Sequence, residues 1–498
     1  MAKNGRRWFV LDDFKAAFSL FCGCCGIGTL GVPANFARAG PAIGTIALLV
    51  MAAINTYTSV CLTRTMLQAP KTVKTYGDLG EWCMGKTGRY LVVVAQMATC
   101  VLVPCVFLVL GGSLLESLFP DAFSQSTWII LMAITVLPVC LIPTLKEGAG
   151  AAFAGCLGTI IADVIGVAVV MYGMRGHPSV PFPDLSFKQV TGAFGNLLMA
   201  LGAGFLVPPI QREHSEPSRM PAVVIATMLF TTVMLWILGW AGYSPAGCQI
   251  SGNLLFTIYP DSDTGLTSLG FKPDWGMVVL AYLCMQMHIT IAFAVLLNPA
   301  FYLLERMVLG MHKIQLPDIE DGVGYVNAST PLEIVTSAEP RASKLSVTSA
   351  TDAEKASSDA EKPQTEETEA LVAEYKGVYA IKYSLLRLAV LVVLVILSIV
   401  LKDHFSDLVD FIGSSCLTVS SILLPLTFHF KKNWNRVAVY EKIIGGTIFV
   451  VCFFLGCYVT YTSGKTLFAP TSSVNFPFCE EEYQTDVFYN YTAVHGSS

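Results

Sequence analysis

The sequence predicts an all-α integral membrane protein with eleven transmembrane helices arranged as two five-helix repeats of opposite topology plus one added helix. Three observations lead there. Hydrophobic residues make up 54% of the 498 positions and charged residues 13%, whereas soluble domains are about one-quarter charged. Stretches such as Leu388–Leu401 and Ile443–Val459 carry no charge at all, and a spanning helix needs roughly 20 mostly apolar residues. Finally, a Gly- and Pro-interrupted pattern occurs twice, in the first and sixth of these segments.

Taken in order, the predicted spans are 14–37, 42–67, 90–115, 127–144, 150–174, 191–211, 220–243, 275–304, 381–401, 407–430 and 440–462. Residues 1–13 precede them. Lys3, Arg6 and Arg7 are followed by Asp12 and Asp13 with no small-residue cleavage site, so no cleavable leader is expected. Lysine and arginine set the orientation of a membrane chain. With the N-terminus in the cytoplasm, 25 of the 31 basic residues fall on cytoplasmic segments and 6 outside. Setting aside the long segment around 305–387 leaves the same bias.

The organisation that follows is a cytoplasmic N-terminus (1–13), helices 1 to 8 (14–313), an acidic linker (314–376), helices 9 to 11 (377–462) and an extracellular or lumenal tail (463–498). The linker holds 13 acidic and 5 basic residues, so the net −5 of the chain resides there. Its Ser, Thr, Glu and Ala content buries too little apolar surface to fold. It reads as a disordered solvated loop, with a regulatory or partner-binding loop as the alternative reading. In the tail, Asn490-Tyr491-Thr492 is a glycosylation sequon on the side where glycosylation occurs. A second sequon at Asn327 falls on the cytoplasmic side and is expected to be unused.

The 15 cysteines lie mostly inside the spans. The run Cys22-Gly23-Cys24-Cys25 lacks a histidine or second cysteine pair at ligand spacing, so buried thiols are expected and no metal centre. Cys248 and Cys479 are the two on outside segments and are candidates for a disulfide.

The repeated pattern is Gly26-Ile27-Gly28-Thr29-Leu30-Gly31-Val32-Pro33 in span 1 and Gly202-Ala203-Gly204-Phe205-Leu206-Val207-Pro208-Pro209 in span 6. The first matches the glycine fingerprint of a dinucleotide-binding turn, but that fingerprint needs a strand before it and an acidic residue about 20 positions on. Here an apolar helix precedes it and another span follows, so an oxidoreductase reading has no support. Glycine and proline instead weaken the helix. Unpaired backbone groups in hydrocarbon cost several kcal/mol each, so an unwound turn survives where something polar pairs with it. Inverted-repeat transporters bind substrate at such broken helices, at matching positions of two halves. An amino acid fits both ends of the need: N–H groups at a half-helix start hold its carboxylate, and freed carbonyls accept from its ammonium. The candidate substrate residues are Gly26, Ile27, Gly28, Thr29, Ala203, Gly204 and Phe205.

Four stretches resemble the amino acid/auxin permease family of the amino acid-polyamine-organocation superfamily: Gly26–Gly40, Thr75–Val92 (the most specific), Gly202–Pro221 and Leu296–Arg306. The resemblance covers the chain apart from the linker and tail. It implies an eleven-helix, leucine-transporter-type inverted repeat, alternating access, and a substrate site between helices 1 and 6. One departure stands out. Many relatives have an aromatic followed by Ala-Gly-His in helix 6, where this chain has Leu201-Gly202-Ala203-Gly204-Phe205, so substrate identity does not carry across.

Ionisable groups in mid-membrane cost about 2.5–3.5 kcal/mol on insertion scales and are functional candidates by default. Asp163 in span 5 and His288 in span 8 qualify, as candidates for proton coupling. Sodium is the rival ion, with Thr290 offering an oxygen beside helix 1 carbonyls. Asn55 and Tyr57 are further polar groups on span 2, of unassigned facing. The expected function is secondary active transport of an amino acid across the plasma membrane or a vacuolar or lysosomal membrane, with no cofactor beyond the ion, no enzymatic constellation and no nucleic-acid footprint. An amino acid sensor signalling through the linker is the second reading.

Overall fold

The structure, a computed structural model, describes residues 9–73, 75–142, 148–176, 180–311, 375, 377–469 and 476–487. The 314–376 linker apart from Tyr375, together with Asn327 and Asn490, lies outside the described residues. Residues Met1–Ala300 with Leu388–Ser498 form one compact unit, and Phe301–Arg387 another.

The described residues are helical almost throughout. In chain order the main helices are α1 (Leu11–Cys24), α2 (Ile27–Ala39), α3 (Pro41–Gln68), α4 (Tyr76–Met84), α5 (Lys86–Leu118), α6 (Gln125–Leu141), α7 (Gly148–Gly173), α8 (Phe187–Leu201), α9 (Val207–Glu213), α10 (Met220–Tyr243), α11 (Trp275–Leu304), α12 (Val378–Val400), α13 (Phe405–Ile412), α14 (Leu424–Asn433) and α15 (Val439–Thr466). Nine of the segments they form are long and apolar enough to cross a membrane, and the bent pair α1 and α2 makes a tenth. Helix α6 is apolar but has only 17 residues. Buried backbone in hydrocarbon must bond within its own segment, which is why the apolar sequence resolves into helices.

Two local features show how particular residues set these elements. In the Thr75–Val92 stretch, the Thr75 hydroxyl accepts from the Asp78 N–H at 3.1 Å and the Asp78 carboxylate accepts from the Thr75 N–H at 3.0 Å. This reciprocal cap starts α4. Gly85, at φ 71°, then turns the chain into α5. A β-carbon at Gly80 would stand 2.6 Å from the Gly88 carbonyl oxygen, so glycine is what lets α4 and α5 touch. The segment 402–433 is less regular. Gly413–Leu417 and Val419–Leu423 are π-helical turns between α13 and α14. Such turns release carbonyls from the helical ladder, and the Tyr76 hydroxyl donates to one of them, Ser420 O, at 2.7 Å.

The loop after α10 is stapled to the tail. Cys248 and Cys479 form a disulfide, with their Cα atoms 5.1 Å apart, and the Gln249 amide donates to the carbonyls of Tyr483 and Asp486. In the same loop Asp261 accepts from the Thr264 N–H and hydroxyl and from the Asp263 N–H; these bonds hold its carboxyl below the usual carboxylate range.

In the Phe301–Arg387 unit, Arg387 is 1% exposed. Its Nε donates to Glu305 at 2.7 Å, and its guanidinium lies over the rings of Phe301, Tyr375 and Tyr383. A buried cation needs such partners.

Candidate functional site

The polypeptide breaks its helical run at two places that the sequence marks. The first lies between α1 and α2, at Cys25–Gly26, where the two helices diverge by 51°. Gly26 sits at φ −151° and ψ −138°, outside the helical region. The N–H groups of Ile27 and Gly28 fall in the first turn of α2, where the helix itself offers no acceptor. The Thr29 hydroxyl donates to the Gly26 carbonyl at 2.9 Å. The second break lies at Gly202–Ala203, between α8 and a short 3₁₀ turn, Gly204–Leu206, that leads into α9.

Glycine brings the two breaks together. A β-carbon at Gly28 would stand 2.8 Å from the Ala200 backbone nitrogen, at the last turn of α8. One at Gly204 would stand 2.7 Å from the Ser421 Cα, in the second π-helical turn. Of the seven candidate substrate residues, Ile27, Gly28, Thr29, Ala203, Gly204 and Phe205 are buried and Gly26 is partly open.

Both mid-span ionisable groups lie at the first break. Asp163 of α7 is 4% exposed and sits beside Thr29; neither of its oxygens has a hydrogen-bond partner among the described residues. His288 of α11 is fully buried. Its Nδ1 is 3.1 Å from the Gly155 carbonyl of α7, so Nδ1 carries the proton and Nε2 is the free acceptor. Nε2 makes no hydrogen bond among the described residues and would stand 2.8 Å from a β-carbon at Gly26. Thr290 spends its hydroxyl proton on the Gln286 carbonyl of its own helix at 2.8 Å, which leaves its oxygen lone pairs as acceptors. Asn55 bonds back to Met51 within α3, and Tyr57 donates to Glu441 of α15 at 3.2 Å. Neither is brought to the breaks by these bonds.

Charged latches that sequence reasoning missed close the bundle on either side of the breaks. At the end of α2, Arg38 donates to Asp410 of α13 at 2.5 Å and to the Gly192 carbonyl at 3.2 Å. Nearby, Asn35 donates to Asn196 at 2.6 Å. The disulfide-linked tail adds the Phe478 ring, 5.1 Å from the Arg38 guanidinium. At the other end, Asp13 of α1 is 1% exposed. It pairs with Arg219 at 2.6 Å and with His214 at 3.1 Å, while Gln211 donates to the Thr63 carbonyl at 3.1 Å. The signal available in the sequence was a charge at each end of span 1. Its partners lie 372 and about 200 positions away, which no local pattern reveals. Also missed was Ser421, whose buried hydroxyl donates to no partner among the described residues and stands against Gly202, with the Ser420 carbonyl against Gly204.

Comparisons with known proteins bear on the fold and the family. The chain is similar in structure to MhsT in complex with L-phenylalanine, with a TM-score of 0.52 at 11% identity, over 92% of this chain and 99% of that one. The likeness is one of fold, of the leucine-transporter type. By sequence it is 39% identical over 255 residues to the amino acid transporter AVT1I of Arabidopsis thaliana, covering 49% of this chain and 62% of that protein. It is 23% identical over 303 residues to vacuolar amino acid transporter 7 of Saccharomyces cerevisiae, covering 55% of each. The chain thus spans about two-fifths to three-fifths of the first curated relatives it matches. The model of the transmembrane amino acid transporter protein family matches residues 13–467, in accord with the resemblance carried by the four sequence stretches. The chain belongs to the transmembrane amino acid transporter protein family.

Proposed function

We infer that the chain is a secondary active transporter of an amino acid, working by alternating access through eleven spans, α6 included, with its N-terminus in the cytoplasm. The observation that carries the reading is the meeting of two broken helices at Gly28 and Ala200, with an unpartnered carboxyl at one of them. The substrate carboxylate binds the open N–H groups of Ile27 and Gly28, and its ammonium binds the carbonyl freed at Gly202. Substrate also satisfies backbone that the membrane interior would otherwise leave unpaired.

Asp163 supplies the coupling. An isolated buried carboxylate is expensive, and either a proton or a bound cation removes that cost. The proton is the leading choice, because His288 places a free ring nitrogen against the same break. Sodium is the second reading, because the Asp163 oxygens, the Thr29 hydroxyl and the Gly26 carbonyl together form a hard oxygen donor set. The vacuolar name of the yeast relative favours a vacuolar or lysosomal membrane over the plasma membrane.

Reconstituted protein tests the reading. Uptake of a labelled amino acid mixture into proteoliposomes should follow an imposed proton gradient without sodium. Uptake that requires sodium and ignores pH transfers the coupling role to sodium, and absence of uptake under both gradients overturns the transporter reading.

A further inference from the structure

Away from both breaks, the ends of α3, α14 and α15 bring together Cys61, His429 and Glu441. One ligand atom from each lies within 4.8 Å of the other two. Cys61 is fully buried and His429 is 5% exposed. His429 Nε2 stands 3.6 Å from Glu441 Oε1, beyond hydrogen-bond reach, and neither ring nitrogen has a hydrogen-bond partner among the described residues. A buried polar nitrogen left unpaired costs about 1–3 kcal/mol, so the arrangement is short of a partner. A cavity of about 400 Å³, lined by Arg64, Gln68, His429, Asn433, Arg436 and Glu441 among others, opens beside His429 and Glu441.

We propose that Cys61, His429 and Glu441 form a binding site for a soft divalent cation of the zinc type, with a fourth coordination position open toward the cavity. The donor set selects the metal. Sulfur, imidazole nitrogen and one carboxylate suit zinc, whereas magnesium and calcium take oxygen alone. Tetrahedral zinc, with bonds of about 2.0–2.3 Å, sets its ligand atoms about 3.3–3.8 Å apart. The His429–Glu441 pair is already in that range, and side-chain rotation contracts the rest. The charge balances as well: the metal displaces the Cys61 thiol proton to solvent, and thiolate plus carboxylate neutralise the dication. Arg64 and Arg436, both exposed and both lining the cavity, oppose a cation, but water screens them. The Tyr57 hydroxyl donates to Glu441 Oε1, the oxygen nearest His429, and would hold that ligand in place. A bound ion would tie α3 to α14 and α15.

The test uses the purified full-length protein in detergent. Zinc titrated against a chromophoric chelator should bind at one equivalent per chain. Cys61→Ser, His429→Ala and Glu441→Gln should each weaken binding by about tenfold or more, and Tyr57→Phe by about tenfold, the scale seen for partners of metal ligands. Cys100→Ser, a buried thiol elsewhere, should change nothing. Cobalt in place of zinc should give the intense visible bands of a tetrahedral, thiolate-bound ion, lost in Cys61→Ser alone of the two cysteine variants. Zinc should also raise the melting temperature of the wild type and of Cys100→Ser but not of Cys61→Ser. Wild-type affinity in both Cys61→Ser and His429→Ala overturns the site. So does a cobalt spectrum of the wild type that shows only weak octahedral bands, a result that depends on no variant folding.

Discussion

At Cys25–Gly26 the chain leaves its helix beside an unpartnered carboxyl and a buried imidazole; at Gly202–Ala203 it does so beside the hydroxyl of Ser421 and the carbonyl of Ser420. Both breaks rest on glycine and both are followed by proline, yet one faces groups that can gain or lose a proton and the other faces groups that cannot. The difference suggests a division of labour. On the proposed function, the first break would couple the ion and the second would shape the pocket. The departure at Leu201–Phe205 from the sequence common among relatives sits at the second, where it can alter what is bound without disturbing what drives it.

The strongest way to break the comparison is to separate the two breaks from each other. Gly28 is their point of contact, and the nearest atom to an added β-carbon is backbone, 2.8 Å away, which cannot swing aside. Overpacking of this kind costs typically 1–3 kcal/mol. Gly28→Ala is expected to cut uptake by more than about tenfold while membrane insertion and expression persist. Gly204→Val should do the same from the other side, since Ser421 Cα lies 2.7 Å from its β-carbon position. Uptake at wild-type rate in both variants would remove the meeting of the breaks from the mechanism.

Asp163→Asn separates coupling from binding. The amide keeps the shape and loses the titratable proton. Gradient-driven accumulation should collapse toward the equilibrium level, because the carboxyl at the first break that would carry the proton is gone. Exchange of labelled for unlabelled substrate across the membrane, which needs no net ion movement, should persist. Equal loss of accumulation and exchange would mean that Asp163 serves structure or substrate, and the first break would lose its special role.

Much of this was legible in sequence because it depends on residue type. Glycine pairs and nearby prolines weaken a helix wherever they stand, and a lone Asp or His in an apolar run is conspicuous. What could not be read is facing. Helices that are apolar all round carry no amphipathic stripe to fix their rotation, so nothing indicated that Asp163 and His288 point at Gly26 and Thr29 while Tyr57 points at Glu441. Span edges shifted for a related reason. Lys86 and Lys402 open helical segments that the charge-free runs place a few residues later, because long basic side chains reach back to the interface from inside the helix end. The latches of Arg38 and Asp13 depend on long-range partners and were invisible to any local window.

The finest probe is Ser421→Ala, which removes one hydroxyl at the second break and little volume. The Ser421 hydroxyl donates to no partner among the described residues, so its loss leaves no stranded group behind. The Ser420 carbonyl keeps its bond from Tyr76, which preserves the π-helical turn. A single neutral hydrogen bond to substrate is worth about 0.5–1.5 kcal/mol. The apparent KM for amino acid should therefore rise by about two- to tenfold, with the maximal rate and the proton dependence unchanged. That pattern assigns the hydroxyl to binding held equally in all states. An altered proton dependence in Ser421→Ala would instead tie the serines to the ion, and the two breaks would then form one charged network rather than a coupling site and a pocket.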